Sequence, residues 1–272
     1  QAIWQQDLHA WSGVVGPRLA KVLESPPPDF DETLARHEQW LAQTGDRHLI
    51  TLGDPRFPAE LLDTADPPLM LFMQGDPSVL RHAVRLAIVG SRNPTPQGAR
   101  NAEQFAEVLA RAGLCVVSGL ALGVDGAAHE GALRGGGPTI AVVGTGLDRV
   151  YPSRHHDLAH RIAANGAIVS EYPLGTPPLA AHFPQRNRII SGLSQGTLVV
   201  EAALKKLPRG VEWLTSLNLA REPWFNISTG TGWFHTDRSW NDTLDIPLSG
   251  IQTYIDKLRS GGCIAWQTES RE

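Results

Sequence analysis

Between His182 and Gly192 the chain reads His182-Phe183-Pro184-Gln185-Arg186-Asn187-Arg188-Ile189-Ile190-Ser191-Gly192. Two guanidinium groups and an amide open an otherwise apolar helix, directly behind an aromatic ring and a proline. Cations at a helix N-terminus oppose the macrodipole by roughly a few tenths of a kcal/mol or more. A bound anion would account for placing Arg186 and Arg188 there, with Asn187 between them. Phe183 offers a face on which a base can stack while an arginine holds the backbone, the combination used for single strands. The competing reading makes Phe183 core and ties an arginine into a buried ion pair, and that outcome is expected for one of the two arginines.

A second group of residues sits at glycine-rich junctions: Val89-Gly90-Ser91-Arg92, Val117-Ser118-Gly119-Leu120-Ala121-Leu122-Gly123 and Val143-Gly144-Thr145-Gly146. Each follows an apolar run. Glycine lets the backbone turn sharply and approach a ligand, and the amides of a following helix then face an anion. Arg92 follows its strand directly, so its guanidinium should stand over such a rim and clamp a phosphate with two hydrogen bonds. Gly90, Ser91, Arg92, Ser118, Gly119, Gly123 and Gly144 are therefore expected at a phosphate-binding border, together with Phe183, Arg186, Asn187 and Arg188. Asp125 and His129, four residues apart, share one helix face. They are read as a helix cap and a group hydrogen-bonding across the rim. With Asp157 and Glu201 they offer acid and base groups, but no serine or cysteine nucleophile has an evident partner. The Gly-x-Gly-x-x-Gly dinucleotide fingerprint is absent after the first apolar strand. No catalytic constellation and no cofactor are expected.

The elements that must position these residues follow from periodicity. Apolar strands are expected at 85–90, 114–119, 139–144, 167–170 and 197–201. They alternate with helices at 97–112, 125–134, 155–165 and 186–194. Strands apolar throughout, separated by helices, imply a mostly parallel sheet covered on both faces, an extended Rossmann-like α/β fold. In such sheets the ligand crevice lies beyond the carboxyl ends of the strands, where all three glycine-rich junctions fall. Upstream, residues 1–23 read as helical with a Gly16-Pro17 break, and Pro26-Pro27-Pro28 is a linker. A helix is expected at 31–43 and short strands at 48–52 and 69–74. The expected organisation is a short helical region over 1–43 and a Rossmann-like domain over 44–272.

Charge sharpens the division. Of 272 residues, the first 80 carry five basic and twelve acidic groups; residues 81–203 carry eleven, all arginine, and eight; residues 204–272 carry eight of each. A net charge of −4 thus conceals a sign change where the rim is expected. The apolar runs are far too short to span a bilayer, and the first residues lack the pattern of a secretion signal. The two cysteines, Cys115 and Cys263, are read as reduced thiols. A cytoplasmic location, no membrane contact and no metal site are expected.

The quoted motifs closely resemble the bacterial DprA/Smf family. The resemblance runs through Leu86-Ala87-Ile88-Val89-Gly90-Ser91-Arg92, Ser118 to Asp125 with Ala128-His129, and Gly144-Thr145-Gly146. It continues in Tyr151-Pro152, Ser170-Glu171-Tyr172-Pro173, Phe183-Pro184, Arg186 to Leu193, and Gly196 to Ala202; Asp54-Pro55-Arg56-Phe57-Pro58 and Asp66-Pro67-Pro68-Leu69 lie upstream. It spans residues 48–204. It implies single-stranded DNA binding without base specificity, a homodimer, and loading of the recombinase RecA onto DNA in natural transformation. Gln185 stands where a basic residue is often expected, which would remove one phosphate contact. Beyond 204 the text departs from the family, and five of the eight tryptophans fall there. The alternative is a nucleotide-processing enzyme resembling a nucleoside-monophosphate phosphoribohydrolase. Its Gly-Gly-x-Gly-Thr-x-x-Glu element is echoed by residues 192–201, with the glycine pair broken and an extra residue before Glu201.

Overall fold

The computed structural model describes residues 7–201 and divides into two compact units between Gly45 and Asp46. The expectations for the tryptophan-rich segment after residue 204 lie outside the described residues. The first unit contains α1 (Leu8–Val15), α2 (Pro17–Val22) and α3 (Phe30–Gln43). Gly16, at φ 80°, separates the first two. Pro17 occupies the first position of α2, where a missing N–H is no loss. Among the described residues of this unit Ala20 and Trp40 are buried.

The second unit opens with β1 (Arg47–Thr51), β2 (Met70–Gly75) and β3 (Arg85–Gly90). It continues through α4 (Pro96–Arg111), β4 (Cys115–Ser118), α5 (Val124–Arg134), β5 (Thr139–Val142), α6 (His156–Asn165), β6 (Ala167–Ser170), α7 (His182–Gly192) and β7 (Gly196–Val200). The described strands form one sheet of seven in the order β1-β2-β6-β5-β4-β3-β7. β1 and β2 pair antiparallel, as do β2 and β6, and every other pair is parallel. This is the expected mostly parallel Rossmann-like sheet.

Both faces are covered, which explains why the strands are apolar throughout rather than alternating. Leu86 and Ile88 of β3 turn toward α4 and α5, packing with Ala102, Ala106, Leu109 and Ala128. Ala87 and Val89 turn to the other face and meet Ile189, Ile190 and Leu193 around α7. α6 closes over Ala141 and Ile168 through Leu158 and Ile162. The start of α4 is fixed by Thr95, whose hydroxyl accepts from the Gly98 amide at 3.0 Å, and by Pro96 behind it.

α7 begins at His182, four residues before the expected start at 186. Pro184 does not delay it, because proline in a first turn meets no preceding turn and lacks only an N–H that would be unpaired there anyway. The C-terminal end of α7 is tied to β3 by Arg85, which is 4% exposed. Its guanidinium donates to the carbonyls of Leu80 at 2.6 Å, His82 at 2.9 Å and Leu193, and it pairs with Glu60. Among the described residues no helix is long and apolar enough to cross a membrane.

Candidate nucleic-acid interface

The strand order reverses beside β3. The chain runs β3-β4-β5-β6 in one direction and returns to place β7 on the opposite side of β3. Ligand crevices in open α/β sheets open at such a reversal, outside the carboxyl ends. The loops after β3, β4, β5 and β6 and the start of α7 gather along this border.

One group of side chains there faces outward. Arg92 is exposed, and its guanidinium carbon lies 5.4 Å from the centroid of the Phe183 ring. A cation over an aromatic face at an exposed site is worth about 0.5–1 kcal/mol. Phe183 in turn packs against Tyr151 at 5.5 Å between centroids, with the rings inclined by 39°. Tyr151 is 47% exposed and Leu122 is 39% exposed on the same border. Arg154 is exposed on the short turn between Tyr151 and α6. Beside this group Tyr172 stacks on His182 at 4.0 Å, and its hydroxyl donates to Gln185 Oε1 at 3.0 Å. Gln185, read in the sequence as a lost phosphate contact, thus serves as acceptor for a rim tyrosine. Neither Tyr151 nor Arg154 was selected from sequence, although both follow the Gly144-Thr145-Gly146 junction that was.

An internal ion pair was expected for one of the two helix arginines; both are paired with carboxylates, Arg186 buried and Arg188 half-buried. Arg186 is 3% exposed; it donates to the Val142 carbonyl at 3.0 Å and lies 3.5 Å from Asp125 Oδ2. Burial pulls its guanidinium below the usual value, and the Asp125 carboxylate opposes that. Arg188 holds Glu171 with two hydrogen bonds of 2.6 and 2.5 Å and donates to the Asp66 carbonyl at 2.6 Å. The hydrogen bonds from Glu171 raise its guanidinium further. α7 starts at His182, so both arginines lie in its second turn, and the anions that neutralise them are carboxylates of the chain itself. Asn187 is buried at 3% exposure.

Several glycines have an internal explanation as well. A Cβ on Gly119 would sit 1.6 Å from Arg186 Nη1, and one on Gly90 would sit 1.8 Å from the Val200 carbonyl oxygen. Gly119 is the slot for a buried guanidinium, and Gly90 lets β7 close on β3. Gly123 carries φ +85° where the loop passes Ser91. Gly144 is buried against His182, whose Nδ1 donates to the Gly144 carbonyl at 3.2 Å. Ser118 is fully buried and its hydroxyl donates to the Ile88 carbonyl at 2.6 Å, joining β4 to β3. Asp125 is 7% exposed and accepts from the Ala121 amide at 3.4 Å. Ser91 is half-buried: its hydroxyl accepts from the Asn93 amide at 3.1 Å, and its carbonyl accepts from Val124 at 3.0 Å.

His129 does not reach the rim. It is 0% exposed, with Nδ1 2.7 Å from the Thr139 hydroxyl, which itself donates to the Val116 carbonyl at 2.8 Å. Thr139 having given its proton away, His129 Nδ1 must be the donor. Burial, with smaller contributions from His155 and Arg186, pushes its pKa down to about 3. Of the nominated residues, then, Gly90, Ser91, Arg92, Gly123 and Phe183 meet at an accessible border, and Arg188 is half-buried beside it. Ser118, Gly119, Asp125, His129, Gly144, Arg186 and Asn187 form its buried support.

Glu201 has a structural task too. Its carboxylate accepts from the Thr95 amide at 2.9 and 3.0 Å and from the Thr95 hydroxyl at 2.8 Å. A Cβ at Gly98 would lie 2.0 Å from Glu201 Oε2. The N-terminus of α4, where a Rossmann-type nucleotide places its phosphate, is filled by this side chain. Asp157 lies exposed on the first turn of α6.

A mostly parallel sheet reversing beside β3, with helices on both faces and an arginine and aromatic rings along its carboxyl border, defines a Rossmann-like domain. Residues 48–206 match the family of DNA recombination-mediator protein A, and the chain belongs to that family. It is 50% identical over 195 residues to Protein Smf of Escherichia coli (strain K12), a match covering 71% of this chain and 50% of that protein. It is 39% identical over 187 residues to DNA processing protein DprA of Bacillus subtilis (strain 168), covering 69% of this chain and 61% of the relative. The chain therefore spans about half the length of the first of these relatives and under two thirds of the second. Among solved structures it resembles DNA processing protein A of Streptococcus pneumoniae, with a TM-score of 0.60, 33% identity and 79% of each chain covered. It also resembles DNA processing protein A of Helicobacter pylori, a structure reported for its single-stranded DNA binding mode. There the TM-score is 0.55 and the identity 35%, over 62% of this chain and 74% of that one.

Proposed function

We propose that this chain binds single-stranded DNA without base preference along the carboxyl border of its sheet. It works by binding rather than catalysis, in the cytoplasm, as a homodimer that delivers the strand to a RecA recombinase during natural transformation. The observation that carries the DNA reading is Arg92 lying over Phe183, with Tyr151 behind it. Phosphate contacts supply most non-specific affinity, and each aromatic face can stack any base, worth about 1–3 kcal/mol per base. Arg92 supplies the charge, and Phe183 and Tyr151 supply the faces. The dimer and the recombinase contact are supported by family membership.

Fluorescence anisotropy with labelled oligonucleotides tests the reading. Single strands of scrambled sequence should bind with similar affinity, and blunt duplexes more weakly. Arg92→Ala and Phe183→Ala should each weaken single-strand binding, the latter by about 1–3 kcal/mol. Equal affinity of both variants and the parent would remove the border from consideration. Light scattering on the same samples should give twice the chain mass.

A further inference from the structure

We propose that His156 and His160 form a two-imidazole chelating site for a borderline divalent cation such as Ni2+, Cu2+ or Zn2+. The two residues lie one turn apart on α6, and both are exposed. Their rings meet edge-on at 4.5 Å between centroids, inclined by 71°, and the two Nε2 atoms are 3.3 Å apart. Two imidazole nitrogens facing each other cannot both present lone pairs comfortably; a proton or a metal ion must lie between them. With metal–nitrogen bonds of about 2.0–2.1 Å, a separation of 3.3 Å subtends about 107°, close to tetrahedral. Rotamers that bring Nε2 to Nε2 therefore already have the bite of a chelate.

The surroundings favour this use. Asp157 Oδ1 lies 3.5 Å from His156 Nδ1, placing a carboxylate beside the nitrogen that would not bind metal. Carboxylates in that position orient ligating histidines and raise their basicity. His155 does not join, because its Nδ1 is 2.9 Å from the Leu120 carbonyl and its ring packs over Gly126. No cluster of three or more His, Cys, Asp or Glu with metal-binding geometry occurs among the described residues, so the remaining positions are open to solvent or a second ligand. Nitrogen donors and open positions select the later first-row ions over Mg2+ or Ca2+. Core packing does not account for the pair, since the His156 side chain is 64% exposed.

Isothermal titration of the full chain with NiCl2, in the absence of DNA, tests the site. His156→Gln and His160→Gln should each weaken Ni2+ binding by at least the roughly tenfold to hundredfold that losing an outer-shell partner costs. His37→Gln, a histidine on α3, should leave it unchanged. Long-range proton–nitrogen spectra should show Ni2+ broadening the Nε2 signals of His156 and His160 before those of other histidines. Undiminished affinity in His160→Gln, or first broadening elsewhere, would overturn the assignment. Both side chains are exposed, so folding is not at risk, and the outcome is independent of whether the chain binds DNA.

Discussion

At the scale of single residues, the structure separates side chains that can meet a ligand from those that hold the border in shape. Arg92 has no ion-pair partner among the described residues, whereas Arg186 and Arg188 are bound to Asp125 and Glu171. Removing one member of a buried pair leaves the other charge desolvated and costs about 3–5 kcal/mol. Arg186→Ala should therefore lower the unfolding free energy by about that amount in urea titration. Arg186→Met combined with Asp125→Asn should recover part of it, because neither charge is then stranded. His129 gives a pH signature. Its folded pKa of about 3 lies below the ordinary 6.5, so the unfolded chain binds the extra proton between those values. Its contribution is intact above pH about 6.5 and is lost as pH falls toward 3. Between pH 7 and pH 5 the parent should lose roughly 2 kcal/mol more than His129→Gln, read from urea midpoints at both values.

At the scale of elements, β4 and α7 are keyed to each other through Gly119. An alanine there would put Cβ 1.6 Å from the Arg186 guanidinium, so either the arginine leaves its slot or the loop after β4 opens. Gly119→Ala should destabilise the fold by about 1–3 kcal/mol in thermal or urea unfolding. Gly53→Ala, with nothing within 4 Å of the added carbon, should be close to neutral. This key also shows what the sequence could and could not reveal. Strands β3 to β7 were legible because apolar runs alternate with helical periodicity, and that pattern permits little else. The glycine-rich junctions were legible as close approaches, but the object approached is the chain's own guanidinium or carbonyl in most cases. Nothing in the order of residues pairs Arg186 with Asp125 or Glu201 with Thr95; only the sheet order brings them together. Proline at position 184 suggested a helix starting later than it does, since local rules do not say which turn a proline occupies. The His156-x-x-x-His160 spacing was passed over in the sequence, where no metal site was expected, and it acquires meaning only once both rings are seen exposed on α6.

At the scale of the whole molecule, the excess of arginine between residues 81 and 203 does not become a uniformly basic surface. Arg85, Arg111, Arg134, Arg161, Arg186 and Arg188 are all engaged with carboxylates. The charge left for a polyanion on the carboxyl border is concentrated at Arg92, with Arg154 exposed on the neighbouring turn. Under the proposed function such a border would hold a strand with few phosphate contacts, and its aromatic rings would carry a correspondingly large share of the affinity. The salt dependence of binding measures this directly, because each phosphate neutralised on a single strand contributes about 0.7 to the slope of log K against log salt. Oligonucleotide titrations from low to moderate salt should therefore show Arg92→Ala flattening the slope by about 0.7, with Arg188→Gln leaving it as in the parent. An unchanged slope in Arg92→Ala, or an equal loss in Arg188→Gln, would contradict the account.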